Sequence, residues 1–226
     1  VEHGCIVQKP FVDFATSRNH ALDAAESIFP DAVFFLMIDA EWYMHNVPGL
    51  LQFCQKQKDT PYRSYLFAIL NGPSRNYLDR LFKVSAHIRF EGVVHEYCTV
   101  IADGKVPDDV YVHYAPARIG QEQSRRRWLR DEKLFLKAYE KNPDNGRTLF
   151  YLAQTYLCLG DLQNAKLWYQ KRCLYKSWDQ EDCMAHYRLG CICEALQEWD
   201  YALSCYLKAF AIRPTRIEPL LKIAQH

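Results

Sequence analysis

The chain has 226 residues, of which 49% are apolar and 24% charged, ordinary values for a globular protein that holds one large domain or two small ones. Lys plus Arg number 28 against 27 Asp plus Glu, so no net field draws the chain to nucleic acid or to an anionic membrane. No apolar run approaches the about 20 residues of a membrane-spanning helix, and nine cysteines without framework spacing read as reduced, mostly buried thiols of a cytoplasmic protein.

In chain order, Gly4–Val7 reads as a strand. Phe14–Ile28 reads as a helix, with apolar residues at Phe14, Leu22, Ala25 and Ile28 and Asp13 or Thr16 as cap. Arg18 and Asn19 lie near its start, where unpaired N–H groups and a guanidinium fork suit phosphate; by spacing alone, the plainer reading is a solvated arginine beside a capping asparagine. Val33–Ile38 is a continuous apolar run, the pattern of a strand buried on both faces of a parallel sheet. It ends in Asp39 and Glu41, one residue apart. Open α/β sheets bind ligands beyond the carboxyl ends of their strands. Two close carboxylates repel unless a cation neutralises them, and a hard divalent ion with oxygen ligands does so. The plainer reading is a strand followed by an acidic turn.

A helix over Pro48–Gln57 follows, then a strand over Tyr65–Leu70 that ends at the turn residues Asn71-Gly72-Pro73. Shorter extended pieces fall near Arg80–Lys83, Ile88–Phe90 and Val110–His113. This alternation predicts an α/β sheet of mixed strand directions. Arg80 suits a cleft carboxylate or phosphate, or a structural ion pair. In Glu91-Gly92-Val93-Val94-His95-Glu96, a carboxylate could take a proton from an attacking hydroxyl, or the segment is an exposed acidic turn. His113 closes its strand as a structural residue or a ligand.

From about Ile119 the pattern is helical and repeats. Ala153, Tyr156, Gly160, Ala165 and Tyr169 recur as Gly190, Cys193, Gln197, Ala202 and Tyr206, and a three-residue insertion near Ser177–Gln180 brings the spacing close to that of the tetratricopeptide repeat. A helix over Arg125–Glu140 precedes the repeats. Arg125, Arg126, Arg127 and Arg130 spread around that helix beside Asp131 and Glu132, which reads as a solvated, ion-paired surface and not a nucleic-acid patch. Trp128, Trp168, Trp178 and Trp199 read as repeat packing.

Taken together, residues Phe11 to Leu22, Ile38-Asp39-Ala40-Glu41, Arg80-Leu81-Phe82-Lys83, Glu91 to Glu96, Val112-His113-Tyr114 and the run Phe150 to Tyr156 resemble a glycosyltransferase family 2 protein of the GT-A fold with C-terminal tetratricopeptide repeats. The implied fold class is α/β plus all-α: a partial GT-A-like, Rossmann-like mixed-sheet domain over 1–118, then a tetratricopeptide helical solenoid over 119–226. Family members carry a nucleotide-holding strand and loop before the Phe11–Leu22 motif, so the resemblance implies a domain truncated at its N-terminus.

The implied activity is metal-dependent, inverting transfer of a sugar from a nucleotide-diphosphate donor to a hydroxyl of a glycan, lipid-linked or protein acceptor. The resemblance assigns Mg²⁺ or Mn²⁺ to Asp39, Glu41 and His113, and the donor to Arg18, Asn19, Asp39, Arg80 and Trp42. It assigns the acceptor-activating base to Glu96 or Glu91. It also implies a cytoplasmic protein, in a family where peripheral membrane association occurs. The alternative is a non-catalytic scaffold that binds a protein or peptide in its repeat groove and carries a degenerate glycosyltransferase fragment.

Overall fold

The computed structural model describes residues 4–114 and 121–226. The chain divides into two compact units, Val1–Ile119 and Gly120–His226; the expected boundary at 118/119 lies outside the described residues.

In the first unit, Gly4–Val7 forms no strand: no strand among the described residues pairs with it, and Ile6 is 98% exposed. Helix α1 (Phe14–Ile28) starts where Asp13 accepts a hydrogen bond from the Thr16 amide at 2.7 Å, which satisfies one orphan donor of the first turn. Strand β1 (Phe34–Leu36) is only three residues long. It is followed by β2 (Trp42–His45), α2 (Val47–Gln57), β3 (Ser64–Asn71) and β4 (Ser74–Lys83). Gly72, at φ 56°, makes the tight turn between β3 and β4. The remaining strands are β5 (Phe90–Glu91), β6 (Tyr97–Cys98), β7 (Gly104–Lys105) and β8 (Tyr111–Tyr114).

The main sheet runs β1-β4-β3-β8-β2, with β7 also beside β3. Its directions are mixed: β1/β4, β3/β4 and β2/β8 are antiparallel, whereas β7 and β8 run parallel to β3. The run Val33–Ile38 is therefore not a central parallel strand. It pairs on one side only, against β4, and Val33 and Ile38 at its ends stay exposed. One face of the sheet packs Tyr65, Phe67, Leu81, Val106 and Val112 with Leu50 of α2. Phe82 instead joins Phe90 and the α1 residues Ala15 and Leu22, since neighbouring strand residues point to opposite faces. Each such buried side chain contributes about 1.5–3 kcal/mol.

The ladder between β3 and β4 is irregular at one point. Tyr65 faces Leu81 and Leu66 faces Asp79, so Arg80 is an extra residue with no partner on β3. Such a β-bulge bends the strand and re-aims a side chain.

The second unit is helical: α3 (Gln121–Lys141), α4 (Gly146–Leu159), α5 (Leu162–Arg172), α6 (Asp179–Ala195), α7 (Trp199–Ile212) and α8 (Glu218–Gln225). Small residues fall where the paired helices meet. Ala153, Ala165 and Ala202 have no exposed surface. A Cβ added at Gly190 would sit 2.6 Å from the Tyr206 ring, so only glycine fits. The expected insertion lengthens a helix: α6 has 17 residues where α4 has 14. Arg126 pairs with Glu122 and Arg130 with Asp131, the ionic surface expected of α3. Two expectations fail. Trp178 is 65% exposed instead of packed, and of the nine free cysteines only Cys183, Cys193 and Cys205 are fully buried.

Candidate ligand cleft

Arg18 leaves α1 one turn after its cap and reaches two carboxylates distant in sequence. Its Nη1 and Nη2 donate to Asp39 Oδ1 and Oδ2 at 2.9 and 3.4 Å. Its Nε donates to Glu96 Oε1 at 2.5 Å. All three groups are partly shielded, with side-chain exposures of 16% for Arg18, 31% for Asp39 and 11% for Glu96. Burial pulls the Arg18 pKa down, but the bonds to Asp39 and the charge of Glu96 outweigh it and the pKa is raised. The guanidinium keeps its charge.

Around this pair lies an open cleft of about 490 Å³, lined by Phe14, Ser17 and Arg18 of α1 and by residues 37–41. Asp39 and Glu41 stand in the connection from β1 to β2, where the Trp42 amide donates to the Asp39 carbonyl and closes a turn. Both acids line the cleft, although Glu41 is largely solvated.

Arg80 lies beside this cluster at the bulge. It is 7% exposed and its buried Nε has no hydrogen-bond partner among the described residues. Its guanidinium lies over the rings of Trp42 and Phe90, at 5.3 and 5.8 Å from their centroids. Burial, and then the neighbouring charge of Arg18, hold its pKa below the usual arginine value.

The other sequence-predicted residues have different surroundings. Asn19 holds backbone: its side-chain amide donates to the Phe90 carbonyl at 3.0 Å and accepts from the Phe90 amide at 2.8 Å. It fastens α1 to β5, and so sets Arg18 against the segment that carries Glu96. Glu91 is exposed on β5 and accepts from the Tyr97 hydroxyl at 2.8 Å, whereas Glu96 is the acid that meets Arg18. Trp42 packs against the sheet core and under Arg80. His113 is exposed on β8 opposite Tyr43 and does not line the cleft. Among the described residues, no three His, Cys, Asp or Glu side chains converge as metal ligands. The Asp39, Glu41 and His113 set therefore does not form a ligand cluster here.

Phe90 was not singled out by the sequence. Its ring carries both arginines, with Arg18 at 5.6 Å from the centroid, and an isolated phenylalanine in a two-residue strand gives no signal of this. Within the Glu91–Glu96 segment that the sequence did single out, His95 at φ 53° and Gly92 at φ 98° shape the turn that delivers Glu96.

The tetratricopeptide-repeat family matches residues 134–167, from the second half of α3 into α5. The helical unit thus contains a tetratricopeptide repeat. No curated protein matches the chain. Among solved structures, a crystal structure of MamA is similar at 18% identity over 46% of this chain and 80% of its own, with a TM-score of 0.22. A second MamA crystal structure is similar at 18% identity over 44% and 71%, with a TM-score of 0.23. The glycosyltransferase resemblance of the first unit has no counterpart in these findings. No helix among the described residues is long and apolar enough to cross a membrane.

Proposed function

We propose that the chain is a protein-interaction scaffold whose helical unit binds a peptide or protein segment. The observation that carries this is the tetratricopeptide repeat at residues 134–167 and its recurrence, 37 residues on, along α6 and α7. Stacked helix pairs offer their first helices as a continuous surface. On α4 the half-buried Arg147, Tyr151 and Gln154 occupy the repeat positions that Met184, Arg188 and Cys191 occupy on α6. A mixed aromatic, basic and polar face of this kind suits an extended segment that carries both apolar and acidic groups. Selection of binding peptides on the full chain tests it. Saturable binding that weakens tenfold or more in Tyr151→Ala or Arg188→Ala, and that Asp39→Ala leaves unchanged, is the expected result. Selection that yields no saturable binder removes the reading.

A second reading is sugar transfer from a nucleotide-diphosphate donor, and the meeting of Asp39 and Glu96 on Arg18, beside the cleft that Arg18 and Asp39 line, favours it. In that reading Arg18 faces the charge that develops on the leaving diphosphate, and Glu96 takes the acceptor proton. A melting-temperature rise with a uridine or guanosine diphosphate sugar, measured with and without Mn²⁺ and absent in Arg18→Lys, is its signature. No rise with any donor under either condition sinks it.

A further inference from the structure

We propose that the Arg18 guanidinium stands where a divalent cation is expected, so that the cleft carries its positive charge on arginine and excludes the metal. The argument is geometric. Asp39 presents both oxygens to one guanidinium edge, and Glu96 presents Oε1 to its Nε. A Mg²⁺ or Mn²⁺ ion bound by Asp39 needs those same oxygens, in near-octahedral oxygen coordination. Glu41 is the remaining acid of the cleft and is solvated, and among the described residues no third ligand converges on the pair.

The neighbouring charges agree with this placement. Arg18 and the nearly buried Arg80 beside it, whose Nε has no acceptor among the described residues, already set two positive charges against Asp39 and Glu96. A dication added here would break three hydrogen bonds and leave two shielded guanidinium groups against a like charge. An anionic ligand meets the reverse situation, because arginine is the side chain suited to bidentate contact with phosphate or carboxylate. The inference rests on the Arg18 cluster alone and stands whether or not the cleft transfers sugar.

Binding of Mn²⁺ alone, followed by electron paramagnetic resonance on the full chain, tests it. The wild type is expected to show no saturable site that depends on Asp39. Arg18→Gln, which frees both carboxylates, is expected to gain one saturable site that disappears again in Arg18→Gln/Asp39→Asn. Arg18→Lys keeps a cation in place and is expected to gain none. A saturable Mn²⁺ site in the wild type that Asp39→Asn abolishes overturns the inference. A folded Arg18→Gln protein, confirmed by circular dichroism, that binds no Mn²⁺ overturns it too. If Arg18→Gln does not fold, the comparison of the wild type with Asp39→Asn still decides.

Discussion

Arg172 is fully enclosed, and its guanidinium ties the turn that joins α5 to α6 to the first turn of α6. It donates to Glu181 Oε1, to Asp182 Oδ1 at 2.6 Å, to Ser177 Oγ at 2.7 Å and to the Tyr175 carbonyl at 3.0 Å. Arg147 reaches Glu181 from α4. Removing one partner of a buried pair strands the others, so Arg172→Met is expected to destabilise the chain by about 3–5 kcal/mol, read from chemical denaturation. The sequence hid this cluster among ordinary charges, because Lys171, Arg172, Glu181 and Asp182 look like solvated helix ends until α6 gains its extra turn. Arg18 was visible as a candidate from its place near a helix start, but its partners Asp39 and Glu96 lie 21 and 78 residues away. Spacing contains no trace of such partners. Asn19 drew notice for its position at a helix start, and its actual role as a backbone clamp depends on β5, which lies 71 residues on.

Elements show the same divide between local and distant information. Helix α1 was legible to the residue, since its cap and its apolar spacing are contiguous. Strand β1 was not. Its six-residue apolar run has the composition of a central strand, but the sheet order places it outermost, and sheet order is a property of the whole unit. The repeat register was legible because identical contacts recur, and it extends to backbone geometry. Gly160 closes α4 at φ 81°, and Gln197, 37 residues later, follows α6 at φ 63°. A non-glycine residue in that region carries about 1–2 kcal/mol of strain, partly offset by the greater freedom glycine loses on folding. Gln197→Gly is therefore expected to raise stability by about 0.5–1 kcal/mol in thermal denaturation. Gly160→Ala, where an added Cβ meets nothing within 4 Å, is expected to lower it through backbone strain alone.

For the molecule as a whole, the half-buried His186 and the buried Asp182 of the helical unit both contribute to the response to acid. Burial, and then the charge of Lys208, hold the His186 pKa below its usual value. The unfolded chain then takes up that proton first, so stability is complete above about pH 6.5 and falls as pH drops toward the folded pKa. Asp182 is lowered: burial opposes its charge, but the Ser177 amide and Arg172 outweigh it. Its contribution is present above about pH 4 and is lost as pH falls through the depressed folded value. Melting followed at pH 7, 5 and 3 is expected to decline in two stages, with His186→Gln flattening the first and Asp182→Asn the second.

The connection over residues 37–41 joins β1 at one margin of the main sheet to β2 at the other. The stretch turns tightly between Asp39 and Trp42 and carries the carboxylate that meets Arg18. A residue gained or lost there shifts that carboxylate off the guanidinium. Natural variants of this protein should therefore keep the length of that stretch constant.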